Sequence, residues 1–301
     1  MAADMKGKVV VITGATSGIG QVAAERLAGM GARIVQVARH PERGAAALAR
    51  LRRQAPDADH TIHYADLLRH SEMRRVATEI AAAEPRVDVL VNNAGAMFGS
   101  YQLVDGLERT FALNHMAYFV FAQVLKDRLS AAAPARVVNT ASDAHRSGSV
   151  DLDDLQSARL YGSRSLALWL RYGGPAFAVY SRSKLCNILF TRELARRLTG
   201  TGVTANSLHP GFVATRFGDQ TGGPTTFGIR IAKRFALSPE QGAETLVHLA
   251  SAPEVEGVTG EYFHRCRPAT PSREARDDSL AGRLWAATDR LARLEAPAAA
   301  P

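Results

Sequence analysis

Short, nearly uninterrupted apolar runs recur along this chain, and a stretch of helical spacing follows each one. The runs are "KVVVIT" (8–13), "ARIVQVA" (32–38), "VDVLVNN" (87–93), "ARVVNTA" (135–141) and "GVTANSL" (202–208), with weaker ones in "TIHYA" (61–65) and "GEYFH" (260–264). A strand that is apolar at every position, rather than at alternate ones, is buried on both faces. Between the runs lie Ala-, Leu- and Arg-rich segments at about 19–30, 42–54, 70–84, 103–130, 180–199 and 239–251. Strict alternation of strand and helix predicts an α/β fold, a doubly wound parallel sheet flanked by helices. No internal repeat or linker divides the chain, so residues 1–295 read as one domain. A short helix near 279–294 closes it, and "APAAAP" (296–301) reads as a disordered tail.

Composition narrows the function. Apolar residues make up 46% of the 301, enough for a large core. The net charge of +8 comes from scattered arginines, with no basic cluster carrying interleaved aromatics, which argues against nucleic acid. Cys186 and Cys266 have neither metal-ligand nor disulfide-framework spacing, so no metal is expected and a reducing cytoplasm is. The start, "MAADMKGK", lacks the apolar stretch of a signal peptide, and no run approaches a membrane span. "PTTFGIRIAKRFAL" (224–237) mixes apolar and basic residues, which suits a lid or a peripheral membrane contact.

The first strand runs into "TGATSGIGQVAAERLA", where Gly14, Gly18 and Gly20 follow the spacing G-x-x-x-G-x-G. Such a turn lets a ligand approach the backbone at the start of a helix, whose free N–H groups and dipole favour a diphosphate. The end of the second strand is where a dinucleotide fold reads the adenosine ribose. Here it carries Ala38 and then Arg39, with no carboxylate. A guanidinium matches a 2′-phosphate, which favours NADP(H) and leaves NAD(H) open. Arg43 stands one turn further on as a second phosphate contact, and Asp66 follows the third strand, where it could accept from the adenine amino group.

Tyr180 and Lys184 in "YSRSKLCNILF" are four apart and share a helix face. An ammonium beside a phenol favours the phenolate and lowers its pKa, which would suit proton exchange with a hydroxyl or carbonyl. Other polar residues stand at strand ends: "NNAG" (92–95), Ser142 in "VVNTASDAH" and "HPGFVATRF" with Pro210, Gly211 and Thr215. Asn114 sits inside an otherwise apolar helix, where an amide needs a partner. Ligands of open parallel sheets bind beyond the carboxyl ends of the strands, so these features predict one crevice.

Taken in order, "TGATSGIG", "NNAG", Asn114, Ser142, "YSRSK" and "HPG" resemble the short-chain dehydrogenase/reductase family across about 6–265. The resemblance implies a single Rossmann-type domain with seven strands in the order 3-2-1-4-5-6-7. It implies Tyr180 as general acid/base, with Lys184 binding the nicotinamide ribose and lowering the tyrosine pKa. Ser142 would hold the substrate oxygen and Asn114 a proton-relay water. The cofactor would be bound by Gly14, Thr16, Ser17, Gly18, Ile19, Gly20, Arg39, Asp66, Leu67, Asn93, Ala94, Gly95, Tyr180, Lys184, Pro210, Gly211, Val213 and Thr215. "VDLDDL" (150–155), "YSRSKLCNILF" and "HPGFVATRF" look most like the retinol dehydrogenase branch, which usually prefers NADP(H). The implied activity is hydride transfer between nicotinamide and a carbonyl or alcohol of a lipophilic small molecule. A silent NADP-binding regulator and a biosynthetic tailoring ketoreductase are the alternatives. Family analogy leaves room for a homo-oligomer.

The sequence departs from the family pattern between Ser142 and Tyr180, which lie further apart than is usual. The excursion at about 150–178 carries Tyr161, Trp169, Tyr172 and Phe177. It either walls an apolar substrate pocket or packs on the body of the protein. Residues 216–238 read as a variable lid. Ala141 replaces a common serine without touching the chemistry, and His145 reads as structural.

Overall fold

The computed structural model of the chain describes residues 4–163, 165, 169, 173–213 and 237–293. Seven parallel strands form the sheet: β1 (Val9–Thr13), β2 (Arg33–Ala38), β3 (Thr61–Tyr64), β4 (Val89–Asn92), β5 (Ala135–Thr140), β6 (Val203–His209) and β7 (Tyr262–His264). Their spatial order is 3-2-1-4-5-6-7, as expected. An eighth, two-residue strand, β8 (Arg267–Pro268), adds antiparallel to β7 at the edge. Its turn places Arg265 at φ 50° and Cys266 at φ 59°, the two left-handed central residues of a tight hairpin. Proline is tolerated there because no further strand needs its N–H.

Six of the strands, β1, β2 and β4 to β7, supply both of two cores. On β1, Val9 and Val11 face one side, while Val10 and Ile12 face the other. The first side is covered by α3 (His70–Ala83), α4 (Ala117–Val124), α5 (Pro175–Arg197) and α7 (Asp278–Arg293). The second is covered by α1 (Gly18–Gly29), α2 (Pro41–Gln54) and α6 (Pro239–Ser251). A capping box, Ser238 with Gln241, starts α6 where the spacing predicts it.

The segment 103–130 is not one helix. It opens with a hairpin, Leu103–Val104 against Leu107–Glu108, turning through Asp105 (φ 50°) and Gly106 (φ 77°). Glu108 then caps the helical run, accepting from the N–H groups of Thr110 and Phe111. One π turn, Ala112–Met116, precedes α4, and a short helix, Lys126–Ala131, follows it.

Candidate active site

β1 ends in Thr13, and the glycine turn that follows is packed against the end of β4. Gly14 has φ 72°, and a Cβ there would come within 2.9 Å of the Ala94 Cα. A Cβ on Gly20 would overlap the Gly14 carbonyl oxygen and the Asn93 amide nitrogen. Thr13 Oγ1 accepts from the backbone N–H of Asn93 at 3.0 Å and of Ala94 at 3.1 Å. Asn93 Nδ2 donates to the carbonyls of Thr13 and Gly14. The turn is therefore fastened from below, and its upper side faces a cleft of about 770 Å³. Helix α1 starts at that cleft without a side-chain cap or an acidic residue in its first turn. Its free N–H groups and positive dipole end suit a diphosphate, so the cradle fits a nicotinamide dinucleotide.

The same cleft is lined by Thr16, Ser17, Gly18 and Ile19 at this end, and by Arg39, Asp66 and Leu67 beyond the ends of β2 and β3. Arg39 is exposed, and its Nε donates to His40 Nε2 at 3.0 Å. Arg43 lines the same stretch, so two guanidiniums stand where a carboxylate would select NAD. Asn93, Ala94 and Gly95 form the floor, and Pro210, Gly211 and Val213 the far wall. Thr215 and the expected lid at 216–238 lie outside the described residues, apart from Leu237 and Ser238. So do Tyr172 and 296–301.

Tyr180, Lys184 and Ser142 line the same cleft. Tyr180 and Lys184 sit one turn apart on α5, with the Lys184 Nζ 5.7 Å from the centre of the Tyr180 ring. Nζ donates to the Thr140 carbonyl at 2.9 Å, and Asn187 Nδ2 donates to the same oxygen at 3.2 Å. The expectation that Lys184 lowers the tyrosine pKa is not met by the chain's own groups. Burial pushes the Tyr180 phenol up to about 12, against a downward pull from its hydrogen bond with Ser142. Burial also pushes Lys184 down to about 7, so its positive charge near neutrality is only partial.

Asn114 stands behind the floor. Its Oδ1 accepts from Ala96 N at 2.8 Å, while its Nδ2 donates to Ala96 O and to Ser183 Oγ, both at 2.9 Å. The side-chain amide is thus engaged by Ala96 and Ser183. Ser183 in turn donates to the Tyr180 carbonyl at 2.7 Å. Gly20 also sits behind the turn and does not face the cleft.

Several residues that shape the site went unread in the sequence. Thr13, Ser183 and Asn187 hold it from beneath, and Tyr118 donates to the Ala94 carbonyl at 3.0 Å. Polar residues in buried runs were the available signal. Arg182, inside "YSRSK", is buried, and it donates to the carbonyls of Ser149 and Asp154 and to Ser157 Oγ. That pins the first part of the excursion. Tyr161 turns away from the cleft, donating to the Phe98 carbonyl at 3.0 Å, next to Glu108 and Thr110. Phe177 does line the cleft, with Met97, Phe98, Leu113 and the half-exposed Phe212. The excursion is therefore packed on the body in its first part and meets the cleft through Phe177.

With this geometry in view, the comparisons agree. A short chain dehydrogenase model matches residues 8–152, and a model described as enoyl-(acyl carrier protein) reductase matches 168–265. Human retinol dehydrogenase 13 is 39% identical over 98% of this chain and 87% of its own length. Human retinol dehydrogenase 14 is 38% identical over 93% and 85%. The chain belongs to the short-chain dehydrogenase/reductase family. It is an alcohol/carbonyl oxidoreductase of the NAD(P)-binding type, similar to retinol dehydrogenases. Among solved structures, an uncharacterized protein from Mycobacterium paratuberculosis superposes with a TM-score of 0.74 at 32% identity, covering 98% of this chain and 97% of that one. The Pseudomonas aeruginosa RhlG/NADP active-site complex does so at 0.66 and 28%, covering 86% and 95%. Among the described residues no helix is long and apolar enough to cross a membrane, and no cluster of side chains could hold a metal.

Proposed function

We propose that this chain, acting as one domain over 1–295, is an NADP(H)-dependent carbonyl reductase or alcohol dehydrogenase for lipophilic small molecules. The observation that carries the reading is the meeting of Tyr180, Ser142 and Lys184 on the wall of the same cleft that the glycine turn lines. Bound there, the nicotinamide supplies or takes up the hydride. The chain supplies the rest. Tyr180 Oη gives a proton to the substrate oxygen or takes one from it, and Ser142 Oγ holds that oxygen. The phenol is held protonated near neutrality, which is the form needed for carbonyl reduction.

Asn114 serves as a brace, holding Ala96 and, through Ser183, the backbone of Tyr180. Arg39 and Arg43 support the choice of NADP(H), since both face the cleft beyond β2. Met97, Phe98, Phe177 and Phe212 support an apolar substrate. The two free cysteines suit a reducing cytoplasm.

The test is a panel of lipophilic aldehydes, ketones and alcohols assayed with NADPH or NADP. Tyr180→Phe should lower turnover at least 100-fold, about the lower end of what a positioned acid contributes, and leave NADPH binding intact. Full activity in that variant would sink the assignment. Tight binding of NADPH without turnover of any compound would favour a regulator instead.

A further inference from the structure

Ser142 opens a short 3-10 turn, Asp143–Ser147, in the connection after β5 that lines the cleft, and such connections are ordinarily mobile. Its hydroxyl must nevertheless be held against Tyr180. Two histidines outside the Tyr180–Ser142–Lys184 group bind the two polar atoms of the peptide unit that joins Ser142 to Asp143. His145 Nδ1 lies 2.7 Å from the Ser142 carbonyl oxygen, and its Nε2 accepts from the Ser272 N–H at 3.0 Å. A nitrogen that accepts from a backbone N–H carries no proton, so the proton of His145 is on Nδ1 and is donated to Ser142. On the other side, His209 Nδ1 accepts from the Asp143 N–H at 3.1 Å. His209 is therefore the opposite tautomer, with its proton on Nε2.

We propose that His145 and His209 are positioning residues, a two-point clamp that sets the Ser142 hydroxyl against Tyr180 and works only while both rings are neutral. The proposal rests on the reading of Ser142 and Tyr180 given above. One end of the clamp is anchored at Ser272, beyond residue 265 where the family match stops. That stretch is tied to the turn once more by Arg146 donating to the Thr270 carbonyl, and to the chain just beyond the turn by Val150 N donating to Glu274.

The surroundings keep both rings uncharged. His145 is fully buried, with the Tyr262 ring of β7 edge-on at 5.1 Å and Asp143 and Arg146 nearby on its own turn. His209 faces His264 of β7 at 5.0 Å, with Asp143, His145 and Arg146 around it. Burial first, and then the neighbouring His264, hold His209 down to about 4. Protonation of either ring would set N–H against N–H and release the turn.

Paired substitutions separate a clamp from mere packing. In His145→Asn the amide nitrogen replaces Nδ1 and can still donate to Ser142. In His145→Gln the amide oxygen replaces Nε2, keeping Ser272 but losing Ser142. His209→Asn keeps an acceptor for Asp143 N–H, and His209→Leu removes it. The assay is carbonyl reduction with NADPH, together with NADPH binding and amide hydrogen exchange over 142–145. Both Asn variants should keep kcat within about 3-fold of wild type, whereas His145→Gln and His209→Leu should lose about 10- to 100-fold, as displaced catalytic groups do. NADPH affinity should not change, and the 143–145 amides should exchange faster only in the second pair.

Equal losses in His145→Asn and His145→Gln, or unchanged exchange in His209→Leu, would overturn the clamp. In wild type the same amides should lose protection on acidification toward pH 4, and in His209→Asn that acid-driven loss should be blunted; identical acid curves would also overturn it. If wild type turns over no carbonyl, the functional reading fails, while hydrogen exchange still decides the clamp.

Discussion

Gly20→Ala probes whether the glycine turn is a cradle or an ordinary bend. The added Cβ would lie 3.1 Å from the Gly14 carbonyl carbon and closer still to its oxygen and to Asn93 Nδ2. Asn93 Nδ2 spans the Thr13 and Gly14 carbonyls at 3.2 and 3.3 Å, so moving it strains two hydrogen bonds. Overpacking costs about 1–3 kcal/mol, and each weakened hydrogen bond about 0.5–1.5 kcal/mol. A loss of roughly 3 kcal/mol follows, or about 2–4 °C in Tm for each kcal/mol. The turn can relax only upward, into the cleft, so NADPH affinity should fall about 10-fold or more, each factor of ten being about 1.4 kcal/mol. Calorimetry for Tm and titration of nicotinamide fluorescence for Kd read the two effects. Gly282, inside α7 with open space around it, is the control, and Gly282→Ala should stabilise by about 0.5–1 kcal/mol. If Gly20→Ala matches wild type in both Tm and Kd, the cradle argument is wrong.

Arg39→Asp should weaken NADPH about 10- to 100-fold, the worth of a charged hydrogen-bonded contact, and strengthen NADH; unchanged selectivity in competitive binding would refute the assignment. Lys184→Met should abolish turnover yet stabilise the protein at pH 6 by on the order of 3–5 kcal/mol, because the buried ammonium is held at about 7 against 10.5 when unfolded. Between those two values the unfolded chain binds the extra proton, so wild-type stability rises with pH and the gap should narrow by pH 9. A gap independent of pH in denaturant unfolding would count against it. Arg182→Leu should cost about 3 kcal/mol by stranding buried partners, and should open residues 149–162 to limited proteolysis while Tyr180 itself is untouched.

The parallel sheet was readable because buried strands and amphipathic helices differ in period, and the order of its seven strands followed from the family resemblance. β8 was not, since its turn uses Arg265 and Cys266 in left-handed conformation where glycine or asparagine would have signalled it. The hairpin at 103–108 did carry a signal, Asp105-Gly106 between Val104 and Leu107, but the apolar spacing of the helix behind it masked the turn. At the site, spacing alone brought Tyr180 and Lys184 together on one face. It could not show how deeply they are buried, and burial is what moves the Tyr180 pKa against the expected direction and lowers that of Lys184. Nor could it show that the Asn114 amide is spent on Ala96 and Ser183, because those partners come from distant segments.

Helix α5 is buried on every side from Ala178 to Thr191. Within little more than one turn it meets four different parts of the molecule: Ser142 through Tyr180, the excursion through Arg182, Asn114 through Ser183 and β5 through Lys184. A helix so enclosed offers almost no neutral sites for drift or for laboratory diversification. Met97, Phe98, Ser147, Phe177 and Phe212 border the cleft without belonging to that enclosed stretch. New substrate preferences should therefore be selectable at those five positions while the proton-handling parts stay unchanged, and libraries placed on Ala178–Thr191 should return mainly unfolded clones.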